Sequence, residues 1–132
     1  MVAQVVLTAV VWVRLYVVRL GEMGERRIDP QSVRTSHLAA GVLHDVAPAD
    51  NFKNLFEVPV LFFAIGCLLI ATQRASTTEL VLAWAFVVLR ALHSLVHLSY
   101  NRVVHRFAAY ALSTLAVFAM WGVFAVGLWR EG

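Results

Sequence analysis

The chain has 132 residues, 61% of them hydrophobic, with a mean hydropathy of +0.75 and a net charge of +3. A soluble globular domain carries about 45–50% apolar residues, so this composition excludes that class and reads as one membrane domain over residues 1–132. The small positive excess calls for no nucleic-acid partner.

Four long apolar runs follow one another, and the spans read as about 2–20, 53–72, 79–99 and 106–129. Each approaches the roughly 20 residues that carry a helix across the hydrocarbon core. The runs are continuous rather than alternating, which argues against a β-barrel. The expected fold is an all-α, integral membrane four-helix bundle.

The first run starts at Met1 without a basic n-region, and no small-residue cleavage pattern follows Arg14 and Arg19, so it reads as a retained span. The loop at about 21–50 comes next, with GERRIDP and HDVAPAD as polar breaks and SVRTSHLAAGVLH between them as an interfacial helical stretch or an extension toward the second span. Basic residues sort by side: Arg26, Arg27, Arg34, Lys53, Arg102 and Arg106 fall with loops 1 and 3, Arg74 and Arg130 opposite. The positive-inside rule makes loops 1 and 3 cytoplasmic and the termini external. Trp12, Trp84, Trp121 and Trp129 read as anchors or packing residues. Cys67, the single cysteine, excludes an intramolecular disulfide and reads as a small buried hydrophobe.

The second span opens with polar residues. Asp50, Lys53, Asn54 and Glu57 are spaced i, i+3, i+4, i+7, along one helix face. As structure alone this is a solvated entrance at the interface. Pro59 either starts the helix at low cost or kinks one that began near Asp50.

In the third span Arg90, His93 and His97 fall at i, i+3, i+7, with Tyr100 and Asn101 extending the line. An arginine in mid-span is charged about 2.5 to 3.5 kcal/mol on insertion scales and must face a partner or a wet cavity; the simplest partner is Glu57. One reading is an interhelical salt bridge without chemistry. The other is a polar cavity walled by Asn54, Glu57, Arg90, His93 and His97, with Arg106 at its mouth, suited to an anionic ligand. HSLVH lacks the zinc-protease glutamate and a third ligand, a haem would need histidines on opposite sides of the ring, and Ser94 has no nucleophile elbow. No metal is assigned.

Lys53, Asn54, Glu57 and Pro59 in the second span, then Arg90, His93, His97 and Arg106, resemble the MAPEG family, membrane-associated proteins in eicosanoid and glutathione metabolism, nearest by motif spacing to its microsomal glutathione transferase and prostaglandin E synthase branch. The resemblance implies a four-span homotrimer binding glutathione between subunits near the cytoplasmic side. It implies Lys53, Asn54, Glu57, Arg90 and His93, with His97 and Tyr100, as ligand contacts and Arg106 as the catalytic thiolate stabiliser. Asp50 stands where the family's glutathione binders carry arginine, and His97 where they carry tyrosine. Arg14 and Arg19 both suit the arginine that the family places late in its first helix. The implied activity is a glutathione, or other anionic thiol, dependent transferase or peroxidase with lipophilic substrates from the bilayer. A different class remains open: a non-catalytic membrane protein using the same fold as a trimer-specifying network or a small-anion or lipid-headgroup module.

Overall fold

The computed structural model describes residues 1–131, and its regular elements are all helical: α1 (Val2–Glu25), a 3-10 turn (Pro30–Val33), α2 (Ser36–Val42), α3 (Ala47–Asn54), α4 (Val58–Ala71), α5 (Thr77–Leu98) and α6 (Val103–Glu131). Four stretches are long and apolar enough to cross a membrane: α1, α3 with α4 (Ala47–Ala71), α5 and α6. A helix is the form in which a lone segment satisfies its own backbone in lipid.

The framework is the antiparallel pair α5 and α6, joined by the tight turn Ser99–Arg102. Phe86, Arg90, His93, Ser94 and His97 make one buried stripe on α5, and Ser113, Ala116, Val117, Met120 and Phe124 make one on α6. Both follow the 3.6-residue period that turns one helix face inward. α4 adds Phe62, Ile65 and Leu69, and Phe62 stacks on Phe86 with centroids 4.5 Å apart. In lipid the attraction at such a seam is close packing rather than hydrophobic burial.

Helix ends obey local chemistry. The Ser76 side chain accepts from the Glu79 amide while the Glu79 carboxylate accepts from the Ser76 amide, a capping box that starts α5. α1 and α4 end with Arg27 and Gln73 in the left-handed region, where the Ile28 and Arg74 amides reach back to the Met23 and Leu69 carbonyls. Asn101, at φ 47°, performs the same reversal after α5, and asparagine tolerates that conformation better than most residues.

Three expectations change here. α1 runs past Leu20 to Glu25, and loop 1 folds back onto its end. There Glu22 pairs with Arg26 and accepts from the His44 amide at 2.8 Å, Arg26 donates to the Val42 carbonyl, and Val33, Ala39 and Leu43 cluster with Met23 and Ile28. The second span is two helices, because residues 55–57 leave helical geometry before Pro59. Proline has no N–H for the Leu55 carbonyl, and its ring would clash there; a continuous face from Asp50 to Glu57 is therefore interrupted. Cys67 is exposed rather than buried, since the inward face of α4 passes through Ile65 and Leu69.

Candidate functional site

The break between α3 and α4 exposes a backbone acceptor. In an unbroken helix the Asn54 carbonyl would take the Val58 amide; instead it accepts from Arg90 Nη2 at 2.6 Å. Arg90 is fully buried, and its guanidinium carbon lies 5.5 Å from the Tyr110 ring centroid on α6, within cation–π range. Nε and Nη1 have no hydrogen-bond partner. The sequence suggested Glu57 as the partner of Arg90, but no ion pair joins them among the described residues, because Glu57 sits in the break, exposed, as the residue capping α4.

A second layer lies one turn closer to the α5–α6 turn. His93 Nδ1 lies 3.0 Å from the Arg106 backbone carbonyl. The Arg106 side chain reaches across the turn, its Nη1 3.0 Å from His97 Nε2 and 2.9 Å from Asn101 Oδ1. Its Nε and Nη2 are left without a protein partner among the described residues. Behind these groups Ser94 Oγ donates to Asn51 Oδ1 at 3.2 Å, both residues being buried. Asn54, His93, Val103, Arg106, Phe107 and Tyr110 line a cavity of about 180 Å³.

Asn54, Arg90, His93, His97 and Arg106 thus come together. Lys53 and Tyr100 do not join them: Lys53 is exposed and lies 3.5 Å from Asp50, and the Tyr100 hydroxyl meets His105 Nδ1 at 3.0 Å on the surface. Glu57 lies at the edge, exposed and without an ion pair to Arg90, yet near enough for its charge to act on the guanidinium. Tyr100 leaves the Arg90 line because α5 ends at Leu98 and the chain reverses at Asn101. Arg19 donates to the Val33 carbonyl, Arg14 is exposed, and neither lines the cavity. Sequence reasoning passed over Asn51 and Tyr110. Asn51 stands one turn before the motif asparagine, and Tyr110 one turn after Arg106, so helical spacing was a usable signal for both. Among the described residues no cluster of three or more histidine, cysteine or acidic side chains is positioned to hold a metal ion.

The model of the MAPEG family matches residues 1–126, nearly the whole chain. The chain belongs to the MAPEG family. No curated protein and no solved structure matches it at a significant level. For this MAPEG protein the match and the four helices together establish an integral, multi-pass, all-helical membrane protein. What the site holds rests on its own chemistry: an Arg106 side chain at the cavity with two spare donors, and two buried nitrogens of the neighbouring Arg90 without partners. Such a set attracts an anion with several acceptor atoms.

Proposed function

We propose that this MAPEG protein is a transferase or peroxidase dependent on glutathione, or on another anionic low-molecular-weight thiol, and that its second substrate is a lipophilic electrophile entering from the bilayer. The observation that carries this reading is the fully buried Arg90, whose Nε and Nη1 lack partners and which bonds no carboxylate. A buried cation is costly unless paired, and a carboxylate of the thiol substrate supplies the missing charge. Arg106, braced by His97 and Asn101, then faces the sulfur and stabilises its thiolate.

The cavity of about 180 Å³ is smaller than the roughly 300–1,000 Å³ of a typical small-molecule site. Its remaining wall therefore comes from a neighbouring subunit, which supports a homotrimer with the ligand between protomers. Lys53 and Glu57, turned outward in one chain, are placed to meet a ligand or a neighbour across that boundary. Loops 1 and 3, carrying most of the basic residues, lie in the cytoplasm, and the thiol enters from there.

The deciding experiment is thiol transfer in detergent with several classes of electrophile, alongside Arg106→Ala and thermal shift by glutathione. Turnover and stabilisation by the wild type are expected, with Arg106→Ala retaining the thermal shift and losing most turnover. No turnover and no shift would sink the reading. A thermal shift from simple anions without turnover would favour the non-catalytic anion-binding class instead.

A further inference from the structure

The partners of the two histidines decide where each ring carries its hydrogen. His93 Nδ1 faces the Arg106 carbonyl at 3.0 Å. A carbonyl oxygen only accepts, so Nδ1 donates, and a neutral ring then keeps its lone pair on Nε2. That nitrogen is buried without a partner, on a ring that borders the cavity. For His97 the pattern is reversed. A guanidinium only donates, so His97 Nε2 accepts from Arg106 Nη1 and the ring holds its hydrogen on Nδ1. The rings therefore differ in kind: His97 is occupied as a brace, whereas His93 presents an unused base.

We infer that His93 is the general base that takes the proton from the bound thiol, an assignment that rests on the thiol-dependent reading above. An ordinary thiol has a pKa of about 8.5, so little of it is thiolate at neutral pH. In the step assigned here the S–H bond breaks, its electron pair stays on sulfur, and the proton goes to His93 Nε2. Arg106 holds the developing negative charge. The thiolate then bonds to an electrophilic carbon such as the β-carbon of an unsaturated carbonyl; the displaced π pair moves toward the carbonyl, and the imidazolium returns the proton to the α-carbon. Thiol and alkene become thioether, and the ring is neutral again.

The titratable and charged groups around the ring are Arg90 and His97 on α5 with Arg106 and Tyr110 on α6. α3 contributes the neutral Asn54 to the same cavity, and its Asp50 and Lys53 are exposed and do not line it. Among these groups, only His93 has a lone pair free to receive a thiol proton. Its Nδ1 tie to the Arg106 carbonyl also keeps the ring's position linked to the residue that stabilises the sulfur.

The test uses the full chain in detergent and follows kcat/KM for glutathione with an unsaturated carbonyl, in wild type, His93→Asn and His93→Gln. Asparagine keeps an N–H near the Nδ1 position for the Arg106 carbonyl; glutamine keeps a polar group near Nε2; neither takes a proton. Both substitutions are expected to lower kcat/KM on the order of 10²-fold at about pH 7, with the loss shrinking as alkaline buffer supplies thiolate. Binding of S-methylglutathione is expected to change little. A loss equal at every pH, or none, overturns the base assignment while leaving the thiol reading intact. If the wild type fails to bind S-methylglutathione and to turn over, both fall. A further measurement needs no variant: calorimetry of glutathione binding to wild type in buffers of different ionisation heat. A proton retained on His93 gives almost no release to buffer, and release of about one proton per site would overturn the assignment.

Discussion

One seam between α5 and α6 has two halves built on opposite principles. Away from the α5–α6 turn, Phe86 meets Phe62, Val117 and Met120 in a close-packed apolar cluster. One turn beyond Phe86 the same stripe of α5 becomes Arg90, then His93, Ser94 and His97, facing Asn51, Tyr110 and Arg106. Helical periodicity treats the two halves alike; their energetics differ. The apolar half gains from contact alone, whereas the polar half must satisfy every polar group it buries and leaves five nitrogens, on Asn51, Arg90, His93 and His97, without partners. The first half holds the helices together, and the second is held in place by it with polar groups left unpaired.

The largest effect expected from breaking this contrast is on the apolar side. Phe86→Ala should lower unfolding stability in detergent by about 3–5 kcal/mol, while the fraction that remains folded still binds glutathione with nearly wild-type affinity. Calorimetric binding at low temperature, paired with thermal unfolding, checks both parts.

On the polar side the signs should swap. Arg90→Met removes a buried cation without an ion-pair partner, a gain that offsets the cost of about 1–3 kcal/mol for the Asn54 carbonyl left unpaired, so stability should change little. Glutathione affinity should instead fall by roughly 2–5 kcal/mol, the usual cost of truncating one side of a buried charge pair. Equal losses in stability and affinity would erase the distinction between the halves.

The α5–α6 turn offers a finer cut. Asn101→Ala puts an ordinary side chain at a positive φ and should cost about 1–2 kcal/mol of stability, whereas Asn101→Gly should cost little. Both remove the Oδ1 brace from Arg106, so kcat/KM should drop by the same factor in the two variants. Activity that tracked stability would show the brace to be irrelevant.

The smallest effect should come from outside the seam. Asp50 and Lys53 form an exposed pair at 3.5 Å, and such pairs contribute about 0–1 kcal/mol. Asp50→Ala should leave thermal stability within about 0.5 kcal/mol of wild type. A larger loss would mean that the pair is sequestered in the assembled protein.

Some of this was legible in the residues. The i, i+3, i+7 spacing of Arg90, His93 and His97 put three polar groups on one buried face, and the mid-span cost of an arginine demanded a partner for it. The identity of that partner was not legible. Spacing brought Glu57 forward, but Pro59 removes a backbone donor, the helix parts at residues 55–57, and the freed Asn54 carbonyl takes the guanidinium. A main-chain acceptor released by a helix break has no side-chain signature to count.

By itself, the sequence determined the membrane class, the four helices long enough to cross and the buried polar face of the third, because apolar run length and helical period are local properties that follow from bilayer thickness and backbone geometry. Only the tertiary structure decided which polar groups meet. It brought His97 and Asn101 onto Arg106, sent Tyr100 outward to His105, and left His93, whose ring borders the cavity, with a buried nitrogen that has no partner. Those outcomes depend on a chain reversal at Asn101 and a break before Pro59, where one residue's dihedral angles redirect everything that follows.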